Sequence, residues 1–494
     1  MATVEDPIVD VTELVLRYPL VPWPQQLEPG EGSLHLSSRS RVVLGAGFDA
    51  LPALAGHLVA DVQRATGLHL LHTTDAAVPG DVKLQLLPAL AAQLGPEGYE
   101  LTVDAQVAVL SAATLHGLWN ATRTLVQLFP HEPGRAELPV VRIVDRPRFE
   151  WRGAMLDVAR HFFSVDHVLR FIELLARFKL NRLHLHLTDD QGWRLAIDGW
   201  PALTDVGAAS CVGGGPGGHF SRADYREIVA HAAHHYITVV PEVDMPGHTN
   251  AALASIAQLN LDGVAPASYT GTGVGFSSLH LAAPATEPFV RDVIAQLAAD
   301  TPGEYLHIGG DEAHATDSGE YAQFLRFVQG VVHHHGKRMI GWEEIATTPL
   351  APGTLVQHWL QSAVAGAASA GTRFVMSPAQ YTYLDMKHTP ECPVGRRWAG
   401  FIDLDTIYGW NPAALVAGVG DDRIAGVEAP LWTEKVRTFD QVEYLSFPRL
   451  ACLAEVGWTP QDQRDWGHAR PRLLVHTQRL AAIGVSAYER VSSA

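Results

Sequence analysis

Asp311 and Glu312 are adjacent carboxylates at the end of the run His307-Ile308-Gly309-Gly310-Asp311-Glu312. Neighbouring acids suit a general acid working beside a charged helper, provided both face one pocket. On a regular strand successive side chains point to opposite faces, so such a pair would diverge. Glycine reaches backbone angles that other residues avoid, and Gly309 and Gly310 can therefore end the pleat and turn both carboxylates the same way. The competing reading makes Asp311 the cap of a following helix, with Glu312 solvated in its first turn.

Other residues bear on the same chemistry. Arg160, Asp189 and Glu434 offer ionised groups that can grip neighbouring hydroxyls through charge-assisted hydrogen bonds. Unpaired charges in a dry pocket are costly, so these three are expected to pair with one another when no ligand is bound. Trp342, Trp359, Trp398 and Trp432 recur where a barrel core would use Val, Ile or Leu. Indole faces pack on the C–H faces of pyranose rings or enclose a small acyl methyl. His184-Leu185-His186 places two imidazoles on one strand face. They are either interior residues bonded to neighbouring strands or the start of a metal site of the amidohydrolase kind, with His248, His307 and nearby Asp as further ligands. A rim rich in carboxylates and tryptophans favours a sugar over a metal. His333-His334-His335 and the set His231, His234 and His235 fall near helix C-termini, where they complement the dipole at the surface.

Positioning these groups requires a rigid frame, and the chain from about 148 onward repeats strand, loop, helix in the manner of parallel β/α units. Eight candidate strands run near Gly153 to Val158, Arg182 to Leu187, Thr238 to Val243, Tyr305 to Ile308, Arg338 to Trp342, Leu355 to Trp359, Phe374 to Ser377 and Ile424 to Glu428. Amphipathic helices are expected at Val168 to Phe178, Tyr225 to His235, Pro288 to Ala298 and Tyr321 to His334. Eight such units predict a (β/α)8 TIM barrel, whose reactive groups sit just past the C-terminal strand ends. Arg160, Asp189 with Asp190, Asp244 with His248, Asp311 with Glu312, Trp342, Trp359, Tyr383 with Asp385, and Trp432 with Glu434 all fall there. Ahead of the barrel, short strand-like runs (Arg41 to Leu44, Val82 to Leu87, Tyr99 to Leu110) and a helix from Leu115 to Leu128 predict a small α+β domain of unclear role. A Pro/Gly-containing connection, Pro130 to Pro139, leads to a boundary near 147, giving domains 1–147 and 148–494.

Composition narrows the class. A chain of 494 residues, 47% hydrophobic, can bury a large core. The formal charge of −17, with no Lys/Arg run, argues against nucleic acid as a partner. Cys211, Cys392 and Cys452 are too few and too scattered for a disulfide framework, which points to a reducing compartment. Met1 to Pro7 lacks a basic n-region and an apolar core, and no stretch reaches membrane-spanning length. The expectation is a cytoplasmic protein off the membrane, or a secreted one if an export signal has been removed. Asn120-Ala121-Thr122 matches a glycosylation sequon but falls in the predicted helix. Oligomeric state is not legible.

Six ordered motifs together resemble the family 20 glycoside hydrolases, the β-N-acetylhexosaminidases. They are Trp151-Arg152-Gly153 to Arg160-His161, His186 to Arg194, Pro241 to His248, His307 to Glu312, Tyr383-Leu384-Asp385-Met386 and Leu431-Trp432-Thr433-Glu434. The resemblance implies an exo-acting retaining enzyme that removes terminal GlcNAc or GalNAc from oligosaccharides or glycoconjugates, as in chitin degradation. It further implies substrate-assisted catalysis, in which the substrate's 2-acetamido carbonyl replaces an enzyme nucleophile and forms an oxazolinium ion, an exception to the two-carboxylate scheme. By the same resemblance Glu312 is the general acid and base, Asp311 orients the acetamide, and Tyr383 hydrogen-bonds its oxygen. Trp342, Trp359 and Trp432 wall the acetamido pocket, while Arg160, Asp189, Asp385 and Glu434 bind hydroxyls and Trp398 lies at the rim. Asp244, His248 and His307 support the catalytic pair from behind, and neither metal nor cofactor is expected. The segments Gly271 to Gly275 and Thr389 to Arg397 follow no recognisable pattern. Two other classes stand beside this one: a metal-dependent amidohydrolase-like barrel built on His184 and His186, and an amino-sugar-binding protein without turnover, against which the intact Asp311-Glu312 pair argues.

Overall fold

The computed structural model describes residues 11–132, 134–360 and 371–489. Met1 to Pro7, and Pro133 within the predicted connection, lie outside these residues. Two compact units are present. One runs from the start through Arg148, with Arg177–Lys179 and everything from Ala454 onward; the other comprises Phe149–Ala176 and Leu180–Leu453. The sequence reading had grouped all of 148–494 together, whereas the segment from Ala454 goes with the leading unit.

The leading unit is built on a seven-stranded mixed sheet in the order 26–35, 137–145, 99–103, 108–112, 82–86, 41–44, 71–73. The run Tyr99 to Leu110, read as one strand, is an antiparallel hairpin of Tyr99–Val103 and Ala108–Ala112. Its turn carries neither Gly nor Pro; Asp104 makes it by accepting from the backbone N–H of Gln106 and Val107 at 2.7 and 2.8 Å. Leu115–Leu128 is helical with Thr114 as its cap. Within it Asn120 is fully buried and donates to the Glu97 carbonyl at 2.9 Å, which leaves the sequon's acceptor nitrogen committed to the interior. A further helix, Pro52–Thr66, was not foreseen.

The second unit is a closed barrel of eight parallel strands, Trp151–Asp157, Arg182–His186, Thr238–Glu242, Tyr305–His307, Arg338–Trp342, Leu355–His358, Arg373–Met376 and Ile424–Leu431, each hydrogen-bonded to its chain neighbours and the last to the first. All eight coincide with the expected strands, and helices Val165–Ala176, Arg222–His234, Thr286–Asp300 and Ser318–His334 lie where periodicity placed them. Trp151, Val240, Ile340, Leu355, Val375 and Ala425, one from each of six barrel strands, form a buried hydrophobic cluster. Burial of this kind contributes roughly 25 cal/mol per Å² of apolar surface. Among the described residues no helix is long and apolar enough to cross a membrane.

Candidate active site

The fourth barrel strand stops at His307, and Gly309 and Gly310 follow with φ of 66° and 96°. A Cβ on Gly309 would lie 1.8 Å from Asp244 Oδ1, so the position excludes any side chain as well as a negative φ. The Gly310 N–H donates to Asp244 Oδ1 at 3.0 Å and its carbonyl accepts from the Tyr321 hydroxyl at 2.6 Å. This clamp turns Asp311 and Glu312 toward His248, whose Nε2 lies 3.6 and 3.4 Å from their carboxylates. The helix that follows begins at Ser318 with Asp317 as its cap, which rules out Asp311 in that role.

Glu312 and His248 both hold left-handed backbone angles, φ 46° and 55°. Non-glycine residues adopt these at a cost of about 1–3 kcal/mol and cluster at functional sites. Asp311 is buried, and burial pushes its carboxyl above the ordinary range, opposed by His248 and reinforced by Glu242 and Glu312. The carboxyl of the neighbouring Asp244 is pushed well up, first by burial and then by the charge of Asp311. Glu312 is shifted the other way: burial alone would raise it, but the hydrogen bond and charge of His248 hold it below the usual range.

Arg160 donates to Asp189 at 2.7 Å, the pairing expected at rest. Glu434 departs from that expectation, taking Arg396 as its ion-pair partner. Burial by itself would lower the Arg160 pKa, but Asp189, Asp157 and Glu434 hold it above its ordinary value. Asp189 also accepts from His186 Nε2 at 2.7 Å and His248 Nδ1 at 3.2 Å, tying the second and third strand ends together. Burial, together with the neighbouring Glu434, pushes the Asp385 carboxyl well up, against the pull of Arg396.

Five aromatic residues face one another at the rim. Trp359 stacks on Tyr383 at 6.3 Å and 12°, Trp398 meets Tyr383 edge-on at 5.8 Å, and Trp432 lies 6.3 Å from Tyr383 and 5.7 Å from Trp342. Trp342 and Tyr383 are buried, whereas Trp398 is 46% exposed. Burial, then the charge of Asp311, raises the Tyr383 phenol well above its ordinary value, which keeps it a neutral donor.

His184 and His186 face the barrel interior. His184 donates to Glu428 and Glu242, each at 2.8 Å; His186 donates to Glu242 at 2.6 Å and to Asp189. Although burial would lower both, these carboxylates raise His184 to about 9 and His186 to about 10. Two imidazoles with every nitrogen bonded to a carboxylate form a charged hydrogen-bonded core, the interior reading of the pair. Glu242 also accepts from Trp342 Nε1 at 2.8 Å, so the network carries through to an indole of the rim. His307 accepts from the Gly309 N–H at Nδ1, 3.0 Å away, and its ring stacks 4.5 Å from His184. Its pKa is lowered, by burial first. The helix-end histidines lie at or near the surface, as expected.

Several contributors escaped the sequence reading. Glu343 accepts from His358 Nδ1 at 2.6 Å and from the Trp359 N–H at 3.0 Å, fixing the end of the sixth strand. Glu344 accepts from Trp359 Nε1 at 3.2 Å and is raised to about 8, by burial first and then by Asp311. Adjacent carboxylates after Trp342 were the one available signal; the partners of Glu428 and Arg396 lie too far along the chain to leave any.

Comparison with known proteins agrees with this geometry. The profile for glycosyl hydrolase family 20, catalytic domain, matches residues 149–322 and 317–461, and that for domain 2 of the family matches residues 17–146. A β-N-acetylhexosaminidase of Cellulomonas fimi is 42% identical over 92% of this chain and 93% of its own. The GH20 β-N-acetylhexosaminidase of Streptomyces coelicolor A3(2) superposes with a TM-score of 0.91 at 42% identity, covering 95% of this chain and 97% of that one. A mutant Streptomyces plicatus β-hexosaminidase in complex with product GlcNAc superposes at 0.90 with 43% identity, covering 95% and 96%. With both regions matched and relatives this similar along nearly the whole length, the chain belongs to glycosyl hydrolase family 20 and is a glycoside hydrolase of the β-N-acetylhexosaminidase kind.

Proposed function

We propose that this enzyme removes single N-acetylhexosamine residues from the non-reducing ends of oligosaccharides, with retention, through the substrate's own acetamide. The observation that carries the reading is a set of buried polar atoms with no hydrogen-bond partner within the protein: Arg160 Nε, Asp311 Oδ1, Asp385 Oδ1 and Glu434 Oε2. Buried polar atoms are rarely left unmatched, and four around one aromatic-walled space suit a ligand bearing several hydroxyls and an amide N–H. Arg160, Asp189, Asp385 and Glu434 close around one sugar, which gives exo-action. GlcNAc is the first candidate for that sugar, in line with the product held by the Streptomyces plicatus relative.

In the first step the acetamide oxygen attacks the anomeric carbon while the bond from that carbon to the aglycone oxygen breaks. Glu312 passes its proton to the departing oxygen. Asp311 accepts from the amide N–H and offsets the positive charge that develops on the oxazolinium ion, and the Tyr383 hydroxyl donates to the attacking oxygen. Trp342, Trp359 and Trp432 enclose the acetyl methyl and hold the carbonyl in line. In the second step water adds to the anomeric carbon, Glu312 takes its proton, and the five-membered ring reopens. His248 stabilises Glu312 as a carboxylate and so favours this half; exclusion of water by the sugar favours the protonated form needed for the first. His248 and Asp244 hold the pair, and His307 braces the turn before it.

The test is a series of aryl glycosides whose N-acyl group carries zero to three fluorines. Rates should fall steeply as the carbonyl oxygen becomes a poorer nucleophile; a flat series would sink the substrate-assisted step.

A further inference from the structure

Beside the rim lies a cavity of about 740 Å³ whose lining includes Lys387, Arg396, Arg397, Lys435 and Arg437 and no acidic residue. In a chain with 53 acidic against 36 basic residues, five cations around one concavity run against the overall composition. Arg396 is neutralised by Glu434. Among the described residues the other four have no carboxylate within 4.0 Å, so their charge is not spent on internal ion pairs.

The cavity shares Trp398 with the aromatic rim of the candidate active site. Trp398, part of its lining, touches Tyr383 and Trp359, and the Arg396 N–H donates to the Asp385 carbonyl at 2.6 Å. The Lys387 N–H returns to the Arg396 carbonyl at 2.8 Å. These bonds pin the Thr389 to Arg397 segment, which the sequence left unexplained, to the residues proposed to hold the sugar.

We propose that this cavity is a subsite for an anionic oxygen-acid group, a carboxylate or a sulfate or phosphate ester, carried by the oligosaccharide substrate. Guanidinium and ammonium groups grip such oxygens with charge-assisted bonds, and an exposed indole beside them packs on the ring that bears the anion. The inference rests on the glycosidase reading above and adds a charge preference to it. Two sources of the anion fit, the aglycone or the terminal ring, and they are separable.

The experiment compares kcat/KM for two matched pairs of chromogenic N-acetyl-β-glucosaminides. One pair carries a carboxylate or its methyl amide on the aryl aglycone; the other carries a 6-O-sulfate or a free hydroxyl on the terminal ring. The wild type and the Arg397→Gln/Lys435→Gln variant are measured at low and high salt. The expected result is an advantage of about tenfold for the anionic member of one pair at low salt. That advantage should shrink with salt and vanish in the double variant, while neutral substrates are turned over at unchanged rates. Which pair responds locates the anion. No advantage in either pair, or one that survives the double substitution, overturns the subsite and leaves the glycosidase reading intact. Failure to hydrolyse even the neutral glycosides overturns both.

Discussion

His248 Nε2 stands 3.4 Å from the carboxylate of Glu312, and both residues sit in the left-handed region of backbone space. The contact is therefore set by the backbone at both ends and not by a chance meeting of flexible side chains. Its electrostatic effect is to hold Glu312 below its ordinary pKa, while Asp189 and Asp311 hold His248 well above its own against the effect of burial.

Replacing His248 by Gln removes the cation that favours the Glu312 carboxylate. The Glu312 pKa should then rise, and with it the alkaline limb of kcat/KM against pH, which reports the proton on the free enzyme's acid. A pH profile of the variant decides it; a limb that stays fixed or moves to lower pH contradicts the coupling.

Glu312→Gln should cost about 10²–10⁴ in kcat on a disaccharide such as N,N'-diacetylchitobiose, whose leaving oxygen needs a proton. A dinitrophenyl glycoside needs little assistance in its first step and should lose far less. Equal losses on both would remove Glu312 from the acid role.

Tyr383→Phe deletes the donor proposed for the attacking carbonyl oxygen while keeping the stack on Trp359. The expected loss is about 10²–10³ in kcat with KM nearly unchanged, because the bond strengthens as charge develops. A rise in KM at constant kcat would assign Tyr383 to ground-state binding only.

His184 and His186 keep protons in the folded state to about 9 and about 10, above the ordinary 6.5. Their stabilisation is complete below pH 6.5 and is lost as pH rises through these values. The Tm should decline across that window. His184→Ala leaves Glu242 and Glu428 buried without their shared cation, a loss of about 3–5 kcal/mol at neutral pH that denaturant titration would register.

Gly309→Ala forces a methyl into Asp244 and a positive φ onto alanine. Activity should fall with stability, by about 1–3 kcal/mol in the latter. An alanine variant with wild-type turnover would show that the turn relaxes without moving Asp311 and Glu312.

The barrel was legible because the order strand, loop, helix recurs along it, and the rim because its residues come after the strand ends in the chain. Tyr99 to Leu110 misled for the opposite reason: alternation continues through a turn marked by Asp104 alone. The interior charges were legible only as residue types. His184 is bonded to Glu428, and 244 positions separate the two, a distance at which spacing carries no information. Glu434 was assigned the wrong resting partner because the loop bearing Arg396 follows no periodic pattern.

The leading unit is closed by a segment that follows the barrel in the chain. Arg472 pairs with Glu455 at 2.7 Å and donates to the Leu20 carbonyl, His476 bonds the Pro19 carbonyl at 2.7 Å, and Trp458 Nε1 donates to Asp145 at 2.9 Å. Its strands precede the barrel in the chain, yet residues that complete its interior follow the barrel. During synthesis this unit waits, half-built, for the whole barrel to be made, and a nascent chain cut short before Ala454 would strand it without its final helices.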